Sequence, residues 1–454
     1  MADDAADRDD GDTTREEAQR LLEDGDLDGA LALVATLHPA DQADFIAQLD
    51  ASLRDPLLPR IPQEALAEII EFLKEEPRET VVDALAPETL GPLLDRVDPD
   101  VAVDILHSIG AERSQAVLAR MASAAEVAPL LAYEDETAGG RMTSDYIALQ
   151  RDWTVDQALA YLRRTHPGAE QIFYLYVIDD QGRLAGVVSL RHLVVAPPET
   201  RIVDLMTPEV VTVQAGEDQE EVARRVQRYN FIALPVVDEE RRLMGVVTVD
   251  DVIDVVEEEA TEDMFRMAGL VEDESLQRPV VRSIVPRLAW LLIALVLGFA
   301  AAGMVSAFEG TIARVAALAV FMPVISGLGG NTGVQTITLI VRSLALGEVE
   351  LRDMRRILQR ELVIGVTNGL VIGLVLALAV FAWKGNTALS VVAGLAMLAN
   401  MATAVTVGVL VPITLRTVRL DPALASGVLV TTFTDVLGFF FFLGLATLMV
   451  DRIA

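Results

Sequence analysis

One carboxylate lies in the middle of a long apolar run near the end of the chain. Asp435 follows the residues SGVLVTTFT and precedes VLGFFFFLGLA, and no Lys or Arg lies in that run. An isolated charge at the centre of a bilayer costs on the order of 3 kcal/mol, so Asp435 must face water, an ion or a partner subunit. Because no intramembrane cation is available to neutralise it, the sequence favours a cation site over a structural aspartate bonded to a neighbouring helix.

A second apolar run carries neutral oxygen ligands. Residues 321–333 read FMPVISGLGGNTG, and four glycines with a proline predict a broken or kinked helix. Unwound backbone at membrane depth is tolerated where it lines a cavity. Its free carbonyls, with the Asn331 amide, suit Mg²⁺, which keeps much of its water shell and prefers octahedral oxygen coordination. A small-residue packing face would explain the glycines, but not the proline and the asparagine together.

Both groups of residues lie in apolar runs long enough to cross a bilayer, which takes about 20 helical residues. Arg residues flank alternate ends of these runs, and such residues favour the cytoplasmic side. The sequence therefore predicts an all-α domain at 288–454, with the N-terminus in the cytoplasm and the C-terminus outside. Five runs qualify: about 288–308, 314–341, 361–383, 388–415 and 422–449.

The charge is divided unevenly along the 454 residues. The net charge is −32, yet the residues from Val281 onward hold 12 basic and 8 acidic side chains. The soluble half is thus strongly acidic, which argues against nucleic-acid binding. The chain has no Cys, which excludes thiolate metal sites and thiol nucleophiles. It also has no His-x-x-x-His pair, which argues against an intramembrane zinc protease. No catalytic residues are identified, and we expect no enzyme.

The soluble half contains a helical region and a repeat. Residues 1–14 are predicted to be a disordered acidic tail, and 15–137 a superhelical N domain of short, proline-punctuated helices. The α/β repeat follows at 138–257, where Val177-Ile178-Asp179 and Gly186-Val187-Val188-Ser189 recur 59 residues later. Two copies of this kind are expected to pack face to face, because one copy leaves an apolar sheet face uncovered.

This repeat resembles a tandem CBS pair, a module that often holds adenine nucleotides. The resemblance implies a nucleotide signature at Gly245, Thr248 and Asp251 in the second copy. The first copy departs from it, because His192 stands where an aspartate is expected. ATP binding through Thr248 and Asp251 is therefore left open beside a purely structural or cation-sensing pair.

Residues 258–287 are predicted to form one connecting helix that leads into the membrane domain. It starts with acidic residues and ends with Arg278, Arg282 and Arg287, an order that suits the helix dipole. A helix in this place could couple a sensor to a pore.

The chain as a whole resembles the MgtE family of magnesium channels. The resemblance rests on the run PVISGLGGNTGVQ, on LDPALASG at 420–427, on Thr434-Asp435-Val436-x-Gly438, and on the domain order. It implies a homodimer in the lipid bilayer, with a pore between two membrane domains and Asp435 as the pore carboxylate of each subunit. Asn331, with backbone at Gly327 and Thr431, would shape the selectivity region. The family often has an Asn near the position of Gly427, and that amide is missing here.

The resemblance also implies gating by cytosolic Mg²⁺. Divalent ions between facing carboxylates would remove their repulsion, let the soluble domains close and place the connecting helix as a plug. Asp100 and Asp104, one turn apart on one helix, could serve one ion. A solvated acidic face is an equal alternative for any single residue. The sensing residues matched to the family motif are Asp251, Glu259, Glu262, Asp263 and Asp421.

The sequence thus predicts a Mg²⁺ channel or transporter that imports magnesium across a bacterial cytoplasmic membrane. A broader divalent channel that also passes Mn²⁺ or Co²⁺ stays open, because oxygen ligands serve all three ions. A CBS-regulated membrane enzyme and a non-conducting sensor are the alternatives from other classes. Channel and carrier are not separated by the sequence.

Overall fold

The computed structural model describes residues 3–165, 174–271, 274, 280–349, 351–424 and 426–453. The chain forms two compact units, Met1–Val255 and Val256–Ala454. The division falls within one helix, α15 (Val249–Ala268).

The first unit begins with a stack of short helices whose apolar sides face one core. Proline stands at the first turn of three of them, where its missing N–H does no harm. Their buried residues join one apolar cluster that also includes Val236 and Val247 of the second repeat copy. The helices are α1 (Asp3–Glu23), α2 (Leu27–Val34), α3 (Pro39–Gln48), α4 (Ala51–Arg54), α5 (Gln63–Phe72), α6 (Glu75–Asp83), α7 (Pro87–Leu94), α8 (Pro99–Ser108), α9 (Ala111–Leu118) and α10 (Ala124–Val127).

The N-terminal segment differs from the sequence prediction. Residues 3–14, predicted to be disordered, belong to α1 in the structure. Ala18 and Leu22 in its second half are buried against the N-domain core.

The repeat folds as two sheets with the same topology. In each sheet the first strand is parallel to the second, and the second is antiparallel to the third. The first copy has β1 (Ala148–Gln150), α11 (Val155–Thr165), β2 (Leu175–Ile178), β3 (Leu184–Val188) and α12 (Leu190–Val195). After α13 (Ile202–Leu205), the second has β4 (Val213–Gln214), α14 (Gln219–Tyr229), β5 (Ala233–Val237) and β6 (Leu243–Thr248).

The two copies pack against each other reciprocally, as the sequence predicts. A Cβ at Gly186 would lie 2.8 Å from Met206 Sδ, and one at Gly245 would lie 2.8 Å from Met142 Sδ. The glycine of each copy thus lets the methionine that opens the other copy approach its strand. Bridges join Thr143 to Val246 and Val187 to Thr207, so the packing follows the pseudo-symmetry of the sequence.

In the part of the second unit that the structure describes, five helices are long and apolar enough to cross a membrane. They are α16 (Val280–Ala307), α18 (Ala317–Ala345), α19 (Met354–Lys384), α20 (Thr387–Thr417) and α21 (Ser426–Leu448), with the short α17 (Glu309–Arg314) and α22 (Val450–Ile453). The five predicted spans are therefore found. Three of them have ends within four residues of the prediction, whereas α16 and α19 begin eight and seven residues earlier than predicted. Buried residues of α18, α20 and α21 form a common core that includes Phe321, Met397 and Phe442.

Two sequence expectations about these helices are wrong. The connecting helix is not continuous from 258 to 287, because α15 ends at Ala268 and Gly269 takes a left-handed conformation with φ 75°. Arg282 and Arg287 belong to the next helix, and Arg278 lies outside the described residues. For residues 321–333 the sequence predicts a broken or kinked helix, and the break is absent, since α18 is helical from end to end.

Candidate ion path and cation-sensing carboxylates

The two membrane motifs lie on helices that pack together. Ser326 on α18 donates its hydroxyl to Oδ1 of Asp435 on α21. The helices approach closely beside this pair, since a Cβ at Gly330 would lie 3.6 Å from Thr431 Cγ2. Asp435 itself is half-buried. The hydroxyl is a neutral hydrogen-bond donor and brings no balancing charge to the carboxylate.

The residues of the predicted selectivity region differ in their surroundings: two are exposed, and the third forms hydrogen bonds within its own helix. Gly327 and Asn331 lie one turn apart on α18, and both are exposed in the subunit. A Cβ added at Gly327 would meet no atom within 4 Å. Thr431 Oγ1 lies 3.0 Å from each of the carbonyls of Gly427 and Val428 on its own helix, so its hydrogen is directed inward along α21.

The glycines of α18 serve helix packing rather than an unwound segment. A Cβ at Gly333 would lie 2.3 Å from Val430 Cγ1, and one at Gly329 would lie 2.1 Å from Asn400 Nδ2. Small residues of this kind let helix backbones approach closely in membranes. Free carbonyls of a broken helix are therefore not the ligands here. Only Pro323 withholds an N–H within this part of the helix.

Sequence reasoning missed two polar residues of this region. Ser326 stands in the quoted motif, but its contact with Asp435 depends on how α18 and α21 pack. Asn400 on α20 is fully buried and donates a 2.8 Å hydrogen bond to the carbonyl of Ile325. A lone amide in an apolar span was the available signal for it.

A cluster of charges surrounds the end of α15 in the second unit. The Arg266 guanidinium forms ion pairs with Glu262 on the same helix and with Asp421. Burial, together with the negative charges of Asp421 and Glu259, raises the pKa of Asp263 to about 6. The structure thus brings the predicted sensing residues together, with Arg266 as their cationic neighbour.

A second acidic cluster lies in the first unit. Burial raises the pKa of Asp100 well above its usual range, and the charges of Asp251, Asp98 and Asp104 add to this effect. Burial likewise raises the pKa of Asp251 to about 7, although its hydrogen bond from Thr248 opposes the rise. The structure therefore places Asp100 of the N domain in the electrostatic field of Asp251 of the repeat, a proximity that their separation in sequence does not reveal.

Asp104 belongs to the same cluster but has cationic neighbours. Burial raises its pKa, while the guanidinium groups of Arg78 and Arg141 oppose that rise. Arg78 Nη1 lies 3.8 Å from Asp104 Oδ2. Asp100 and Asp251 are therefore the less compensated members, and a divalent cation with its water shell would remove their mutual repulsion.

The described residues hold no group of three His, Cys, Asp or Glu side chains arranged to bind a bare metal ion. Mg²⁺ is often bound through only one or two carboxylates and several retained waters, so looser carboxylate pairs suit it. The arrangement in this single chain fits a hydrated ion better than a dehydrated one.

The two signature positions of the repeat differ in their contacts. In the second copy the Thr248 hydroxyl donates to the Asp251 carboxylate. In the first copy Ser189 caps α12 and accepts a 3.3 Å hydrogen bond from the His192 backbone N–H. Only the second copy therefore has a hydroxyl and a carboxylate side by side.

Comparison with known proteins covers nearly the whole chain. Family models match residues 37–136 (MgtE intracellular N domain), 138–199 and 202–258 (CBS domain) and 322–445 (MgtE, divalent cation transporter). The magnesium transporter MgtE of Thermus thermophilus is 38% identical over 444 residues, 96% of this chain and 98% of the relative. That of Bacillus subtilis is 33% identical over 435 residues, 95% and 96% of the two chains.

A solved structure extends the comparison to the fold. The cytosolic domain of the Mg²⁺ channel MgtE in complex with ATP has a TM-score of 0.50 and 39% identity, and the match covers 53% of this chain and 99% of that chain. Together with the identity of the full-length relatives, this shows that the chain belongs to the MgtE family of divalent cation transporters.

Proposed function

We propose that this protein carries Mg²⁺ across the bacterial cytoplasmic membrane, into the cell, and that cytosolic Mg²⁺ closes it. The observation that carries the transport function is the Ser326–Asp435 pair, which joins two membrane helices around a carboxylate in the middle of α21. It is supported by relatives named magnesium transporters that match this chain almost from end to end.

The ion path is proposed to form between two subunits. Gly327 and Asn331 lie on the exposed side of α18, where a second copy could supply the opposite wall. Each subunit would then contribute one Asp435, and two carboxylates would face a hydrated ion. Such a weakly charged site holds Mg²⁺ through its waters and still releases it.

Closing is proposed to depend on two groups of carboxylates. Asp100, Asp104 and Asp251 form one group, and Glu259, Glu262, Asp263 and Asp421 form the other. Raised pKa values at Asp100, Asp251 and Asp263 indicate that their charges are poorly compensated without a cation. A ligand that binds the closed state better shifts the population toward it, and Mg²⁺ would act in this way.

ATP is proposed as a second ligand of the CBS pair. Thr248 and Asp251 of the second copy are the candidate contacts, and the relative whose cytosolic domain was solved in complex with ATP supports a nucleotide ligand. Because Asp251 also belongs to the acidic cluster, nucleotide and Mg²⁺ would influence each other there.

The topology proposed places the N-terminus in the cytoplasm and the C-terminus outside.

The transport proposal is tested by Mg²⁺ influx into proteoliposomes that contain a Mg²⁺-sensitive dye. We expect wild-type influx and a loss of at least about tenfold in Asp435→Asn, because the amide removes the charge that attracts the cation. Asp451→Asn is the matched control. The Asp451 side chain is exposed, lies outside the spans and forms an ion pair with Arg314. Its influx should equal that of wild type.

Two other results of the influx assay would contradict parts of this proposal. Folded wild-type protein without influx would contradict transport and favour a non-conducting sensor. Equal influx in wild type and Asp435→Asn would retain transport but remove Asp435 as the path carboxylate. Parallel assays with Mn²⁺ and Co²⁺ measure how selective the path is.

A further inference from the structure

The middle of α20 holds a polar side chain that neither the path nor the gating proposal uses. Asn400 is 0% exposed and lies between two glycines of neighbouring helices, Gly329 on α18 and Gly438 on α21. A Cβ added at Gly329 would lie 2.1 Å from Asn400 Nδ2, and one at Gly438 would lie 2.8 Å from it. Neither glycine can gain a side chain without displacing the amide.

This amide is bonded to α18 next to the residue that holds Asp435. Asn400 Nδ2 donates to the carbonyl of Ile325 over 2.8 Å, and the following residue, Ser326, donates its hydroxyl to Asp435. Gly438 lies three residues after Asp435, so it is within one turn of the carboxylate. Asn400 therefore contacts both helices of the Ser326–Asp435 pair at the level of that pair.

The other end of the amide has no compensating contact. Among the described residues, Asn400 Oδ1 has no hydrogen-bond partner. A buried acceptor without a partner lowers stability, and an apolar residue at this position would avoid that loss. An unsatisfied buried group of this kind calls for a reason other than packing.

We propose that Asn400 is a positioning residue of the transport path, which fixes the α18 backbone at Ile325 so that Ser326 holds the Asp435 carboxylate toward the ion. This inference rests on the proposed function. Asn400 does not contact the ion. It acts through α18, and its substitution changes how well the path binds Mg²⁺.

The test uses the full-length protein in proteoliposomes and measures the Mg²⁺ dependence of influx. Asn400→Ala should raise the apparent KM for Mg²⁺ roughly tenfold with little change in maximal rate, because a hydrogen bond that orients the binding site is lost. Ser390→Ala is the matched control, since Ser390 is also buried on α20 but donates only to Asn386 of its own helix terminus. Its KM should not change.

A double-variant measurement separates positioning from general stability. In a Ser326→Ala protein the link from α18 to Asp435 is already cut, so Asn400→Ala should raise the KM by less than about twofold more. If Asn400→Ala does not fold, Asn400→Leu, which has a similar size and no hydrogen-bond donor, should show the raised KM instead.

Three results would overturn the proposal. They are an unchanged KM in folded Asn400→Ala, an unchanged KM in folded Asn400→Leu, and an Asn400→Ala increase in KM that is the same with and without the Ser326 hydroxyl. Wild-type protein without Mg²⁺ influx would instead contradict the proposed function, so the two failures are distinguishable.

Discussion

Asp251 is a carboxylate whose surroundings oppose its charge. Burial raises its pKa to about 7, and the neighbouring charges of Asp250 and Asp104 act in the same direction. Asp100 is affected in the same way and by Asp251 itself. At neutral pH these carboxylates repel one another unless they bind protons. A divalent cation bound between them would compensate their negative charges in another way.

The pKa shifts predict that the soluble unit loses stability as pH rises. The folded pKa of Asp251, about 7, lies above its ordinary value of 3.8, so the folded state binds more protons between these two pH values. Stability should fall as pH rises from about 4 through about 7 and then level off. The lowered pKa values of Asp95 and Asp179 act only below this window, because both residues are already ionised within it.

This pH dependence can be measured as the melting temperature of residues 1–268 in Mg²⁺-free buffer. We expect a decrease of at least about 2 °C between about pH 5 and about pH 8, which corresponds to roughly 1 kcal/mol for a unit of this size. Added Mg²⁺ should restore the melting temperature at the higher pH. A melting temperature that rises or stays constant over this range would contradict the assignment.

Asp251→Asn tests the same cluster without a change of pH. The substitution removes one repelling charge, so we expect a higher Mg²⁺-free melting temperature at about pH 8 and a smaller stabilisation by Mg²⁺. Asp180→Asn is the control, because Asp180 is exposed on a turn of the first repeat copy. A Mg²⁺ response equal to that of wild type in Asp251→Asn would exclude this carboxylate as a sensing ligand.

At the scale of the element, α18 shows how one glycine-rich motif combines two kinds of position. Gly329, Gly330 and Gly333 face neighbouring helices, whereas Gly327 lies on the exposed side. The inward glycines allow close helix packing, and the outward one is free to face a partner subunit or the ion. The two kinds of glycine predict different consequences of substitution.

Gly333→Ala and Gly327→Ala form a matched pair on α18. The first places a Cβ 2.3 Å from Val430 Cγ1 and should destabilise the membrane unit by roughly 1–3 kcal/mol through overpacking. The second meets no atom within 4 Å and should leave stability unchanged or increase it by up to about 1 kcal/mol. Thermal unfolding of the purified protein in detergent measures both, and the reverse order would contradict the packing described here.

The same helix explains where sequence interpretation succeeds and where it fails. The repeat, the five spans and the position of Asp435 follow from periodic patterns and hydropathy, which are local properties. The break predicted within residues 321–333 is wrong because neighbouring helices stabilise a glycine-rich helix that would be weak alone. The continuous connecting helix is wrong because Gly269 takes a left-handed conformation after Ala268. Contacts such as Ser326–Asp435 depend on packing and have no local signal.

At the scale of the whole molecule, the uneven charge has a functional meaning. The acidic carboxylates are concentrated in the first 280 residues, whereas the remaining residues hold a slight excess of basic side chains. An excess of negative charge in the soluble half attracts cations and opposes compaction when they are absent. The protein is thus suited to respond to the ion that it carries.

The most direct test of this account is the Mg²⁺ current through inside-out membrane patches, with Mg²⁺ added to the bath that meets the cytoplasmic side. The account predicts current into a Mg²⁺-free bath and closure as bath Mg²⁺ rises. It also predicts weaker closure in a protein carrying both Asp100→Asn and Asp251→Asn, which should need a higher Mg²⁺ concentration. Wild-type current that is insensitive to bath Mg²⁺, or closure that is identical in the double variant, would contradict it.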